Sequence, residues 1–552
     1  MKKNPTILQL SLLGLSLLWA EHSLLAQTPP LPAATLKPLT NAASQSPKSK
    51  PLPRLGEAGA FDIPEERRLG DRIAQQIYRD PDLFDDPVLM DYIQSLWQPL
   101  QAAARARGEI SPELAERFAW EIFLSRERSI NAFALPGGYF GLHLGLLAQA
   151  GSADELASVL AHELSHVTQK HISRLVAKQE QQSVWMMGAM ILGALAASAA
   201  KNADIAQAAI VGSQAVAAQT QLNFSRDMER EADRIGYTLL TEAGFEGEGF
   251  VRMFDRLLQA SRHNDDGSFP YLRSHPLTTE RLADMKARTG LASEPKKEGA
   301  VAVPAQVHAL IVARARVWAE PDAVRWREWV LQAQRLPQSP TAKADTVADV
   351  AHRWGVSYAG ALAAWRLQDF GAVWRLARGL WLQAQTHPQA RTIVRALLLE
   401  LASHPGAWQQ MPADLKASFI SSWLQPALEA RDRASVLWAA QVSMLHRPEA
   451  AAAVSERLRW WVADHPRDAA AWQLLAKAWA MQQHPLRALR AEAESRAVQL
   501  DWAGAVDRLR AAQEWAQQHP STDLMEQDII HSRYRDLQQR LQEELKEQHE
   551  RR

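Results

Sequence analysis

The chain has 552 residues, 47% of them hydrophobic, with 62 lysines plus arginines against 62 aspartates plus glutamates. A single core stops growing near ~250–300 residues, so this length predicts two or more domains. The balanced charge gives no reason to expect nucleic acid or an anionic membrane as the main partner, and the lack of cysteine excludes disulfide staples and thiol catalysis.

In chain order, the first element reads as a signal peptide over 1–26. Lys2 and Lys3 form its basic start, and Ile7 to Ala20 is an apolar run too short to span comfortably. Cleavage is expected after Ala26, with Ala20 as the alternative site and an uncleaved anchor as the rival reading. A large exported chain without cysteine suits a bacterial periplasm. Residues 27–60, rich in Pro, Ala, Ser and Lys, read as a flexible tether. A mixed domain is expected over 61–290. Within it, Pro64–Tyr78 and Pro87–Arg105 read as helices and Trp120–Leu124 as a strand. Phe133–Leu146 reads as a second extended region bent at Pro136-Gly137-Gly138, an edge strand or its entry loop. Ser152 then opens a helix, with Glu155 completing a capping box ahead of Leu156, Val159 and Leu160.

Residues 291–304, centred on SEPKKEGAVAVP, read as a linker, and 305–552 as entirely helical. Trp472, Leu475, Ala476, Trp479 and Ala488 fit tetratricopeptide spacing. Ala505, Leu509 and Ala512 mark a second unit, and Gly360, Ala372 and Leu376 a weaker third. The rival is an irregular bundle. Ile530–Arg552 reads as a charged final helix. The expected fold class is α+β, mainly helical: a mixed domain with a small sheet, then an all-α tetratricopeptide-like domain.

The sequence HELSH falls inside the helix that Ser152 opens. His162 and His166, four residues apart, lie on one helical face about 40° apart, so both imidazoles can bind one tetrahedral ion. Glu163 is turned about 100° away, placed to take a proton from a zinc-bound water. A third ligand must come from elsewhere. The histidine scheme fails, because Gln169 and Ile172 stand where Gly and His would be, and His171 is out of register and reads as a surface residue. SRDMEREADRIGYTLL offers a glutamate instead. Glu229 and Asp233 share a face, flanked by Ala232 and Gly236, whose small size permits close approach to the HELSH helix. Glu229 is the expected ligand, and Asp233 the residue that orients an imidazole. Glu231 reads as solvated near Arg234. One zinc ion per chain is expected.

HELSH, the downstream EREAD and the preceding NAFALPGG resemble the Ste-type and HtpX-type glutamate-zincin peptidases. The leader and helical tail are similar to the BepA (YfgC) branch, a periplasmic protease and chaperone for outer-membrane protein assembly. The resemblance implies that an edge strand after Asn131 receives substrate as an added strand, in agreement with the extended reading of Gly137, Gly138 and on to Leu144. It also implies that His275, in SHPLTTER, can occupy the open zinc position and silence hydrolysis, and it matches Arg281 to an arginine whose role stays open against a plain salt bridge. Unfolded or misassembled outer-membrane proteins are the implied substrates, and the barrel-assembly machinery the implied partner of the tail.

Between the metal-binding segments, residues 184–218 contain VWMMGAMILGALAASAA and a second Ala-rich run. A single span would place His166 and Glu229 on opposite sides of a membrane, so a buried helical hairpin covering the site is expected, with peripheral membrane contact as an option. A membrane-embedded peptidase is one rival. A chaperone or adaptor with a normally shut protease site is the other.

Overall fold

Side-chain oxygens start the helices of the first half. Asp62 accepts from Glu65 N (2.7 Å) to begin α1 (Ile63–Ile77), and Asp86 accepts from Leu89 N (2.9 Å) to begin α2 (Pro87–Arg107). The computed structural model describes residues 62–178, 225–263, 270–291, 303–336, 346–519 and 523–549, all within one compact unit, Ala58–Arg552. The expected leader (1–26), tether (27–60), apolar insert (184–218) and nearly all of the linker (291–304) lie outside the described residues.

After the short α3 (Pro112–Arg117) come three strands, β1 (Glu121–Ser125), β2 (Ala132–Leu135) and β3 (Tyr139–His143), in the order β1-β3-β2. β1 runs parallel to β3, and β2 antiparallel to it. The first strand starts one residue later than expected because Trp120 sits at φ 53°. The extended region expected over Phe133–Leu146 is broken in two places. Gly137 and Gly138, at φ 74° and 79°, make a tight turn that side chains rarely permit. From Leu144 the chain is helical (α4, Leu144–Gln149).

This corrects the expected position of the edge. The strand that follows the two glycines is central, buried at all five positions and paired on both sides. The edge is β2, immediately after Asn131. The pattern read as an edge arose because β2 and β3 form a hairpin whose two arms have similar composition. Only pairing decides which arm is outermost.

Helix α5 (Ala153–Thr168) begins at Ser152, which accepts from Glu155 N (3.2 Å). The reciprocal half of the capping box is displaced by one residue, since the Glu155 carboxylate accepts from Gly151 N (2.7 Å) and Arg256 Nε (2.8 Å). α6 (His171–Lys178), α7 (Arg226–Glu242), α8 (Glu248–His263), α9 (Pro270–Ser274) and α10 (Thr279–Leu291) complete the first half. One sheet face, with Ile122, Leu124, Phe140 and Leu142, packs with α2 and α5; the other, with Phe123, Leu135 and Tyr139, packs with Leu69 and Ile73 of α1.

Beyond residue 303 every described element is helical. α11 (Ala305–Ala319) leads into antiparallel neighbours, ending in Ala469–Met481, Pro485–Val498, Trp502–Gln518 and Leu524–His549, each packed on the next. Leu475, Ala476, Trp479, Ala488, Ala505, Leu509 and Ala512 are buried, Trp472 is half-buried, and Ile530 and Leu537 anchor the last helix. The main core runs without a break from Phe84 to Val442, joining the two halves. Polar contacts add to it. Arg467 donates to Ala119 O (2.8 Å) and Gln75 to Leu500 O (3.2 Å). No helix among the described residues is long and apolar enough to cross a membrane.

Candidate metal centre

α5 supplies three polar side chains to the interior. His162, Glu163 and His166 are each at most 2% exposed. α7 crosses α5 closely because of Gly236, where a Cβ would stand 3.1 Å from His162 N and 3.2 Å from Ala161 O. That approach carries Glu229 and Asp233 to the two histidines. α9 then brings His275, whose N–H donates to Tyr271 O (2.8 Å) and whose ring lies 4.7 Å from that of Tyr271.

Four side chains converge. His162 Nε2 stands 3.0 Å from His166 Nε2 and 3.3 Å from His275 Nδ1. Glu229 Oε1 is 3.0 Å from His275 Nδ1 and 3.5 Å from His166 Nε2, and its Oε2 is 3.5 Å from His162 Nε2. Ligand atoms held at about 2.0–2.1 Å by a tetrahedral ion stand about 3.3–3.4 Å from one another. The donor atoms of His162, His166, Glu229 and His275 therefore already have the spacing of a metal-ligand set, all lying within 4.8 Å of one another.

The outer hydrogen bonds explain why a cation fits. His162 Nδ1 is 3.0 Å from Asp233 Oδ1, which favours a proton on Nδ1 and leaves Nε2 for the centre. Burial opposes charge on His162, but contacts with Asp233 and Glu229 prevail and raise its pKa to about 9. Burial and the neighbouring His162 drive the His166 pKa well down, so His166 stays neutral. Two nitrogens 3.0 Å apart need a proton or a cation between them. The field that draws that proton equally draws a metal ion. Burial disfavours charge on Glu229, yet His275 and His162 hold its pKa well below the usual range. The formal charges of Glu163, Glu229 and Asp233 against that of Arg281 leave two negative charges, which a divalent ion neutralises.

Arg281, whose role the sequence left open, is 4% exposed and clamps the carboxylates. Its Nε and Nη2 donate to Asp233 (2.6 and 2.7 Å), its Nη1 lies 2.7 Å from Glu229 Oε2, and Nη1 also donates to Pro276 O (2.9 Å). One guanidinium thus fixes both acidic residues and the turn that carries His275.

Glu163 is turned away from the ligand atoms, as helical geometry requires. Both its carboxylate oxygens are buried and accept no hydrogen bond, and Oε1 is 3.6 Å from His275 Nε2. Asn131 is buried and its carbonyl accepts from His143 N (3.0 Å). By antiparallel alternation, the backbone groups of Ala132 and Ala134 then face away from β3, along the outer edge. Ile130 shares that orientation, and its carbonyl accepts from Tyr271 N (3.3 Å). Gly137 and Gly138 are buried in the turn behind this edge, not on it.

Two expectations are corrected. His171 is fully buried, not a surface residue, with Nδ1 2.9 Å from His166 Nδ1. The helical projection that rotates it away fails because α5 ends at Thr168 and Lys170 adopts φ 53°, which redirects the chain. Glu231 pairs with His171 (3.1 Å) and Arg174 (2.8 Å), not with Arg234, which faces Asp284 (3.6 Å). No sequence signal marks the left-handed Lys170, so neither contact was legible beforehand. Tyr271 was missed for a related reason, since its place depends on the packing of α9.

Residues 94–289 match the family described as peptidase family M48. A Vibrio cholerae protein named as a beta-barrel assembly-enhancing protease is 38% identical over 239 residues, covering 43% of this chain and 47% of the relative. The Escherichia coli beta-barrel assembly-enhancing protease is 33% identical over the same shares. A mitochondrial metalloendopeptidase OMA1 of Saccharomyces cerevisiae is 25% identical over 35% of this chain and 54% of the relative. The matched part thus spans about half the length of these curated relatives.

Proposed function

We propose that this chain is a periplasmic zinc-dependent endopeptidase that hydrolyses peptide bonds of misassembled or stalled outer-membrane proteins, with a chaperone-like role in their assembly. The observation that carries the reading is the meeting of His162, His166 and Glu229 at ligand spacing, with Glu163 alongside. The M48 match and the names of the relatives support it. Zinc is favoured over other ions because the donor set is imidazole and carboxylate in a tetrahedral spacing.

A bound zinc ion supplies Lewis acidity toward the scissile carbonyl and lowers the pKa of a bound water toward ~7. The protein's own groups do the rest. Glu163, with no competing hydrogen bond, takes the proton of the attacking water and delivers it to the leaving amine. Asp233 orients His162, and Arg281 holds Asp233 and Glu229 in register. The outward backbone groups of Ala132 and Ala134 pair with an extended peptide, which explains binding with little sequence preference. The helical tail, read as tetratricopeptide-type repeats, would engage the barrel-assembly machinery.

One observation favours a restrained enzyme. His275 contributes the fourth donor of the cluster, its third nitrogen, and stands beside Glu163, where the attacking water belongs. Its helix also engages Ile130 at the outer edge. Hydrolysis therefore requires His275 to withdraw. The test is cleavage of an unfolded outer-membrane barrel protein by zinc-loaded full-length chain. Expected is slow cleavage by the wild type, faster cleavage by His275→Ala, and none by Glu163→Gln with zinc retained. Full cleavage by Glu163→Gln, or no stoichiometric zinc in the wild type, would sink the proposal.

A further inference from the structure

The two histidines of HELSH are held from behind by different partners. His162 faces a carboxylate, Asp233. His166 faces a neutral ring, His171, and the polarity of that contact follows from the groups outside it. Glu231 is held in an ion pair by Arg174. Its Oε2 receives Arg174 Nη1 (2.8 Å) and lies 3.1 Å from His171 Nε2, so that nitrogen carries a hydrogen and donates. A neutral imidazole has one hydrogen, and the contact with Glu231 places it on Nε2. Its Nδ1 is then a bare acceptor. His166 Nδ1, 2.9 Å away, has to be the donor, and a neutral His166 with its hydrogen on Nδ1 presents a bare Nε2 to the cluster.

We propose that His171, oriented by Glu231, is a positioning residue that fixes His166 as a metal ligand through Nε2. This inference rests on the metal-centre reading above. It assigns a task to a residue outside the HExxH-plus-glutamate set. The relay also reaches solvent: Glu231 is 35% exposed on its side chain, and His171 is fully buried. The connection from ligand to surface is thus two hydrogen bonds long. α6, which begins at His171, becomes part of the site's support by this route.

The experiment measures zinc and cobalt affinity of the full-length chain by chelator competition, together with the melting temperature of each metal-free variant. His171→Phe keeps a planar ring but removes the acceptor, and removal of such an outer partner typically weakens metal binding about 10–100-fold. His171→Asn places an amide oxygen near the Nδ1 position, and binding is expected to recover to within a few-fold of wild type. Glu231→Gln, on a half-exposed side chain, is expected to weaken binding only a few-fold and covers the case in which His171→Phe does not fold. The visible spectrum of the cobalt form is expected to shift in His171→Phe and to return in His171→Asn. A purely structural role would lower the metal-free melting temperature in proportion to any affinity loss, and Asn would not rescue. That result, or unchanged affinity in both His171→Phe and Glu231→Gln, overturns the inference. A wild type that binds neither metal overturns the metal-centre reading itself.

Discussion

Two buried charged clusters in this chain look alike on paper and behave as opposites. In the first, Arg314 is completely buried and directs Nε and Nη2 to Asp86 (2.8 and 2.6 Å), and Nη1 to Glu400 (2.6 Å) and Tyr358 (3.1 Å). The guanidinium hydrogens meet carboxylate and hydroxyl oxygens, so the node is closed. In the second, His162, His166, Glu229 and His275 bring acceptor atoms together with formal negative charge to spare, and Glu163 keeps both oxygens unbonded. Burying polar groups without partners costs free energy, so a fold keeps such a cluster only when something else completes it. The closed node ties α2 to α11 and to the helix Pro388–Ala402. The open one is where chemistry can happen.

This contrast can be broken most sharply at Glu163. Glu163→Gln is expected to cut kcat by about 10²–10⁴-fold, with zinc content and melting temperature close to wild type, as read by peptide cleavage and metal analysis. Chelation is expected to abolish cleavage while far-ultraviolet circular dichroism stays native, because α5 and α7 meet through packed apolar and small residues. Loss of helix on chelation would make the open cluster structural after all.

At the closed node the signs reverse. Arg314→Met leaves Asp86 and Glu400 buried without their cation and is expected to cost about 3–5 kcal/mol in urea unfolding, with zinc affinity unchanged in the folded fraction. Next in size is the helix crossing. Gly236→Val forces a side chain against the His162 backbone and is expected to cost about 1–3 kcal/mol, with weaker zinc binding because His162 shifts. A variant as stable as wild type would show that the helices do not need their close approach.

A last effect concerns pH, away from both clusters. Burial depresses the His143 pKa to about 4, whereas an unfolded histidine titrates near 6.5. As pH falls below 6.5 the unfolded chain takes up a proton that the folded chain refuses. Stability from this group is therefore intact above pH 6.5 and is lost down to about pH 4, at up to about 1.4 kcal/mol per pH unit. Urea midpoints of wild type and His143→Gln, compared at pH 7 and pH 4.5, measure the difference. Equal pH slopes would remove His143 from the account.

Periodicity and spacing alone made much of this legible. The helix of HELSH, the partnership of Glu229 and Asp233 on one face, and the small residues that let α7 approach are all local patterns, because helical geometry fixes which side chains share a face. The same logic placed α1 and α2 to within two residues at each end. It failed where the chain leaves a regular helix. The left-handed Lys170 turned His171 inward, and pairing order made β3 central and β2 the edge.

Sequence by itself determined the chemistry on offer: two imidazoles and a carboxylate on two helices, with a second carboxylate, Glu163, one residue along from His162. Tertiary structure alone decided what completes and supports them. Arg281 as a clamp and His171 as a backing ring each lie in space beside residues distant in sequence or beyond a break in the helix, whereas His275 was already implied by the resemblance. No spacing rule crosses such a break, because the direction of the chain after it is set by packing.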